Sequence, residues 1–204
     1  RIADLPKEIP AGAKVLITYG GGSIVKTGTL AEVKAALKGF TLFEFGGIEP
    51  NPTYETLMQA VELARREKID FLLAVGGGSV LDGTKFIAAA IPFVGEPWDI
   101  LAKRAKIERA IPFGSVLTLP ATGSEMNNGA VISRTATHDK LAFSHALVFP
   151  VFSVLDPKKT YTLPARQVAN GVERLVADEL VLLVTQALDV DDRIVVGDDD
   201  GILQ

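Results

Sequence analysis

Gly76-Gly77-Gly78-Ser79 stands between the apolar run 71–75 and a helix-like segment over 80–90. A buried strand that ends in glycines and turns at once into a helix leaves bare backbone N–H groups at the positive end of a helix dipole, where a pyrophosphate can approach. Glycine suits the place because a side chain would block that approach or resist a positive φ. A plain tight turn without a ligand has the same composition. The second copy favours a nucleotide site. Residues 14–19 read as another buried strand, and Gly20-Gly21-Gly22-Ser23 follows it, ahead of a polar turn around Lys26-Thr27-Gly28 and a helix-like stretch over 30–37. Two strand-glycine-helix junctions imply two βα units whose strand ends face one crevice.

The first junction has no Asp or Glu directly after its strand. Sites that select NAD place an acid on the ribose 2′-OH, whereas small residues and a nearby cation leave room for a 2′-phosphate. Gly22, Ser23 and Lys26 therefore lean towards NADP, with a merely solvated Lys26 as the alternative. A third strand end, Leu119-Pro120, leads into Thr122-Gly123-Ser124-Glu125. Thr followed three residues later by Glu reads as a capping box. The same crevice would also offer Thr118, Thr122 and Asn127 as neutral hydrogen-bond partners for a cofactor.

These junctions need a frame, and the chain supplies an alternation. Strand 14–19, helix 30–38, strand 41–45, helix 53–67, strand 70–75 and helix 80–91 follow one another with short links, the pattern of a doubly wound, mostly parallel α/β sheet of Rossmann-like type. In helix 53–67, Leu57, Val61 and Ala64 repeat at helical spacing for the core, and Asn51-Pro52-Thr53 provides start signals. Residues 115–119 read as another core strand. Residues 130–134 and 141–155 read as a β-hairpin insertion followed by a last strand. The expected organisation is an α/β cofactor domain over 1–165 and a start of a helical domain, or a divergent tail, over 166–204.

Composition narrows the function classes. With 204 residues, 48% of them apolar, the chain can bury a sizeable core. A net charge of −4 without a basic aromatic stripe argues against a nucleic-acid partner. The run 86–94 is broken by Pro92 and too short for a membrane span. The absence of cysteine excludes disulfides and thiolate metal sites in this sequence, and a cytoplasmic enzyme is the expectation. His138 and His145 fall in the expected hairpin on opposite strand faces, without acids at ligand spacing, and read as surface or turn histidines. The acidic stretch from Asp189 to Asp200 lacks the alternation and terminal Glu of an EF-hand and reads as a solvated turn, and 179–184 can form a helix.

Taken in order, several stretches carry a resemblance: 15–23, Gly46-Gly47-Ile48-Glu49-Pro50-Asn51-Pro52, 74–85, 117–125 and Leu155-Asp156-Pro157. They resemble the iron-containing (group III) alcohol dehydrogenases, and within them the NADP-dependent aldehyde reductase and butanol dehydrogenase branch, from residue 1 to about Val172. The resemblance implies an α/β cofactor domain, then an all-helical domain, with a metal in the cleft between them. It implies that Gly21, Gly22 and Ser23 lie at the adenosine ribose and its 2′-phosphate. Gly77, Gly78 and Ser79 would hold the pyrophosphate, and Asp82 would point towards the nicotinamide half. Thr118, Thr122, Asn127 and Lys140 would close around the nicotinamide and its ribose, although a lysine beside Asp139 also reads as a solvated hairpin charge.

The chemistry so implied is hydride transfer between NADP(H) and a small alcohol or aldehyde, with a divalent metal, iron or zinc, polarising the substrate oxygen. The family holds that metal with an Asp and a His four residues apart and two later histidines. Here Arg174 stands at the Asp position and Asp178 at the His position, so the metal site is expected to be missing from this sequence. The segment ahead of Ile2, which helps form the family's dimer, is also expected to be missing. With Arg1 in place of Met and the all-helical domain expected to be largely absent, these departures point to a piece of a longer protein, a chain with an exchanged tail, or a sequence whose final thirty or so residues are wrongly assigned. Two function classes follow: an NADP-dependent alcohol or aldehyde oxidoreductase represented by its cofactor domain, or a module that binds NADP(H) without catalysis.

Overall fold

The computed structural model describes residues 1–161 and Arg166. Residues Arg1–Thr162 form one compact unit, and the expected boundary at 165 falls outside the described residues. Its elements run in the order α1 (Leu5–Glu8), β1 (Lys14–Tyr19), α2 (Ser23–Lys26), α3 (Thr29–Ala36), β2 (Thr41–Phe45), α4 (Tyr54–Glu67), β3 (Phe71–Gly77), α5 (Gly78–Ala90), α6 (Asp99–Ala102), β4 (Phe113–Leu119), β5 (Gly129–Arg134), β6 (Asp139–Ser144) and β7 (Phe152–Leu155).

Five strands make one sheet in the order β2-β1-β3-β4-β7, with every neighbour parallel, and β5 and β6 form a separate antiparallel hairpin. Strand alternation sends the two sets of side chains to opposite faces. Val15 and Ile17 of β1 with Phe71, Leu73 and Val75 of β3 pack one core with Val33 and Leu37, whereas Leu16, Leu72 and Ala74 pack the other with Leu57, Val61 and Phe86. Both faces of the sheet are thus covered by helices, which is why its central strands read as unbroken apolar runs. The chain leaves β1 towards β2 and returns past it to β3, so the strand order reverses between β1 and β3. At such a reversal the connections diverge to opposite faces and open a crevice beyond the carboxyl ends of the strands.

α4 follows its sequence signals. Thr53 is the N-cap, its hydroxyl accepting from the Thr56 amide at 3.4 Å, and Leu57, Val61 and Ala64 are buried. Lys68 closes the helix in the left-handed conformation with φ 56°.

Four local expectations are corrected. β3 runs on to Gly77 and α5 begins at Gly78, earlier than the helix read from Val80, because pairing with β4 continues to Gly77↔Leu119. α2 forms a single helical turn directly after Gly22, inside the segment read as a polar turn. Gly123, in the left-handed region at φ 67°, caps only a short 3-10 turn over Ser124–Met126 with no side-chain cap, so Thr122 and Glu125 do not form a capping box. The histidines do not alternate on a strand either. His138 lies in the hairpin turn at φ 57°, and His145 follows β6, where its Nδ1 accepts from the Leu147 amide at 3.2 Å.

The hairpin is fixed to the body at both ends. At its tip, Glu55 of α4 accepts from the Thr135 amide at 3.2 Å, the Thr135 hydroxyl at 3.0 Å and the Ala136 amide at 3.1 Å. The Arg134 guanidinium lies 5.0 Å from the Tyr54 ring centre and 5.3 Å from that of Trp98, within cation–π range. At its root, the backbone is gripped by two side chains of α5.

Candidate functional site

The two glycine turns solve different steric problems. Gly22 sits at φ 98°, a region that only glycine adopts freely, and turns the chain from β1 into α2. Gly76, Gly77 and Gly78 are not in the positive-φ region, which corrects the expectation that backbone conformation requires them. Close approach is what restricts them, most severely at Gly76. A Cβ on Gly76 would lie 2.6 Å from Val80 Cγ2, one on Gly77 3.3 Å from Leu119 Cβ, and one on Gly78 2.8 Å from Thr122 Oγ1. The missing side chains let the first turn of α5 rest on the end of β3, beside β4 and the Thr122 loop.

No side chain caps the N-terminus of α5, where Gly77 is the N-cap and Gly78 and Ser79 open the helix, all three half-buried. The first amides of that helix and its dipole therefore point out of the crevice edge with no protein anion in the first turn. Across the strand reversal, Gly21 and Ser23 are exposed and a Cβ on Gly21 would meet nothing within 4 Å, so the backbone there stands open. The β1 end is held by the 46–48 loop: Gly47 N donates to Gly20 O at 3.1 Å and Ile48 N to Tyr19 O at 3.1 Å. Lys26 is exposed and makes no ion pair among the described residues.

Further along the crevice a cavity of about 1010 Å³ opens between the 122–131 segment, the hairpin and the 104–107 loop, and Asp82, Thr122, Asn127 and His145 border it. Thr118 is the extra residue of a bulge where β4 pairing shifts from Gly76↔Leu117 to Gly77↔Leu119. Bulges re-aim side chains at sheet rims. Asp82 has both oxygens engaged: Oδ1 accepts from the Ser124 hydroxyl at 2.7 Å and Oδ2 from the Val131 amide at 3.1 Å. Lys140 is exposed, opposite Ser133 in the hairpin, and does not line this cavity. The structure thus brings Asp82, Thr122 and Asn127 together, sets the two glycine turns on either side of the strand reversal, and leaves Lys140 apart.

Sequence reasoning missed Lys85. It is fully buried, and its ammonium donates to Ser124 Oγ, Asn127 Oδ1 and Gly129 O, each at 2.8 Å. Burial pulls its pKa down to about 8, while the charges of Asp82 and Glu125 pull it upward. At neutral pH it therefore remains an ammonium. The signal was present: a single cation directly ahead of Phe86-Ile87-Ala88-Ala89-Ala90 and one turn from Asp82 must be buried with partners, since an unpaired buried charge is too costly.

The geometry has relatives. The family Iron-containing alcohol dehydrogenase matches residues 1–157. The chain belongs to that family. It is 61% identical over 201 residues to the NADPH-dependent aldehyde reductase YqhD of Escherichia coli (strain K12), covering 96% of this chain and 52% of that protein. It is 48% identical over 171 residues to the probable NADH-dependent butanol dehydrogenase 1 of Bacillus subtilis (strain 168), covering 82% of this chain and 44% of that protein. The crystal structure of E. coli K-12 YqhD aligns with a TM-score of 0.81 at 66% identity over 84% of this chain and 45% of that one. NADH-dependent butanol dehydrogenase A of Thermotoga maritima aligns at 0.78 with 42% identity over 81% of this chain and 43% of that one. The chain spans about half the length of the curated relatives it matches. Its α/β fold is that of the family's Rossmann-like N-terminal domain.

The family's metal finds no fit among the described residues, where no group of three or more His, Cys, Asp or Glu comes together. Arg174, Asp178, the 179–184 segment and the acidic stretch lie outside the described residues. Among the described residues no helix is long and apolar enough to cross a membrane.

Proposed function

We propose that this chain is the NADP(H)-binding part of an oxidoreductase that moves hydride between the cofactor and a small alcohol or aldehyde. The observation that carries the reading is the pair of glycine-ended parallel strands, β1 and β3, on either side of the strand reversal, with the uncapped N-terminus of α5 beside them. In this reading the amides of Gly78 and Ser79 take the pyrophosphate, which the glycine backbone lets approach. Gly21, Gly22 and Ser23 take the adenosine ribose and 2′-phosphate, with Lys26 as the cation. The nicotinamide half extends along Thr118, Thr122 and Asn127 into the cavity, where Asp82 holds the wall.

The relatives' names divide between NADPH and NADH, so cofactor choice rests on the first glycine turn. The chain is expected to bind NADPH at least about tenfold more tightly than NADH, a difference of about 1.4 kcal/mol that one charge-assisted contact supplies. Lys26→Glu should remove that preference. Titration followed by cofactor fluorescence measures both. Equal affinity for the two cofactors in the unaltered chain would remove the 2′-phosphate assignment.

The second class, binding without turnover, rests on Arg174, a cation at a position where the resemblance calls for a metal ligand. A preparation of the 204-residue chain with verified mass is expected to bind NADPH yet show no metal-stimulated NADPH consumption with butyraldehyde on adding iron, zinc or manganese. Robust metal-dependent turnover would establish the enzyme reading for this chain itself.

A further inference from the structure

We infer that Lys85 is a positioning residue that locks the Asn127 carboxamide with its oxygen inward, so that Asn127 presents the cavity with hydrogen-bond donors and no acceptor. The argument begins with proton counting. An ammonium has three N–H donors, and Lys85 meets three acceptors at 2.8 Å: Ser124 Oγ, Asn127 Oδ1 and Gly129 O. The Ser124 hydroxyl proton is directed to Asp82 Oδ1 at 2.7 Å, which leaves the oxygen lone pair for Lys85. Every proton in the cluster then has one place to go.

Asn127 Oδ1 also accepts from the Gly129 amide at 3.0 Å. Turning the carboxamide over would place its NH2 group against the Lys85 ammonium and the Gly129 N–H, two donor-to-donor contacts beside a buried charge. The orientation is therefore set by the protein. It leaves Nδ2 without a partner among the described residues, on a residue that borders the cavity. A group that carries an oxygen acceptor is matched there, and a donor-only group is not.

Asp82 and Lys85 lie one turn apart on α5 and grip the 124–131 segment together, Asp82 through Ser124 and Val131, Lys85 through Ser124, Asn127 and Gly129. An apolar residue of the same length would take one donor from each of three acceptors and leave the Gly129 amide as the only group among the described residues that holds the carboxamide oxygen inward. The inference deepens the NADP(H) reading and rests on it for the ligand. The matched acceptor is then an oxygen of the nicotinamide half, either the carboxamide oxygen or a ribose hydroxyl.

A thermodynamic cycle on the 204-residue chain tests this, using Lys85→Met, Asn127→Ala and the double variant, each checked for folding by circular dichroism. NADPH affinity is expected to fall about tenfold in each single variant and no further in the double, because Lys85 acts through Asn127. Asn127→Asp keeps an acceptor for Lys85 and Gly129 but removes the donor, and it should weaken NADPH at least as much. Binding of adenosine 2′,5′-bisphosphate, which lacks the nicotinamide half, should not change. Thio-NADPH separates the two oxygens: sulfur in the carboxamide removes the Asn127 effect if that group is the partner and preserves it if the ribose is. Losses that multiply in the double variant, or wild-type NADPH affinity in Asn127→Asp, would overturn the inference.

Absence of NADPH binding by the unaltered chain would instead sink the cofactor reading. The inference is then decided without ligand by NMR. A through-hydrogen-bond coupling between the Gly129 amide nitrogen and the Asn127 side-chain carbonyl carbon should be present in the unaltered chain, and Lys85→Met should weaken or abolish it. Absence of that coupling in the unaltered chain would refute it.

Discussion

Gly78→Val should abolish measurable NADPH binding while the chain stays folded. The Cβ alone would lie 2.8 Å from Thr122 Oγ1, and the two γ carbons of valine extend over the opening turn of α5. Thr122 is exposed, so its loop can yield and the core need not. The helix amides cannot yield in the same way, because they are the first residues of a helix packed on β3. Losing two charge-assisted hydrogen bonds at about 1.5–3 kcal/mol each corresponds to a loss of more than about 100-fold in affinity. Fluorescence titration beside a thermal melt separates the two effects. A folded variant with unchanged affinity would make this glycine turn structural only.

Gly76→Val should instead unfold or strongly destabilise the protein. Gly76 is buried near the carboxyl end of the central strand β3, and its Cβ would meet Val80 Cγ2 at 2.6 Å and Val80 Cβ at 2.8 Å. The obstacle is a stiff β-branched side chain on the first turn of α5, not the free end of a flexible one. Relief requires lifting α5 off the sheet, and ten buried residues of that helix, from Val80 to Ala90, form its contact with the core. Overpacking of this kind costs about 3 kcal/mol, the upper end of its usual range. For a domain of this size that lowers Tm by about 6–12 °C. A melt within about 2 °C of the unaltered protein would mean that the helix start can shift at little cost. The contrast between adjacent glycines is itself a test of the steric account, since one variant should lose ligand and the other stability.

Much of the frame was legible because local signals and burial agree. Val15, Leu16 and Ile17 are all buried since helices cover both faces of the sheet, so an unbroken apolar run was a sound sign of a central parallel strand. Thr53 and the spacing of Leu57, Val61 and Ala64 set α4 nearly to the residue. The hairpin and the last strand were likewise written in their alternation and turns. The capping box was misread because Thr122 and Glu125 satisfy a pattern whose meaning depends on a helix that the chain does not build there.

The fold class and a crevice beyond the glycine-ended strands follow from sequence alone, because they arise from patterns that repeat along the chain, whereas the strand order β2-β1-β3-β4-β7 is set by tertiary pairing. The glycine triplet was also visible there, but its reason was not: whether a glycine serves a positive φ or a close contact depends on what Val80, Leu119 and Thr122 place against it. Lys85 shows the same limit from the other side. A lysine is read as solvated until the fold surrounds it, and only packing of α5 against residues 39 to 44 positions further along brought it Ser124, Asn127 and Gly129. Residue type fixed how many protons that ammonium could donate, and tertiary structure decided which three oxygens receive them.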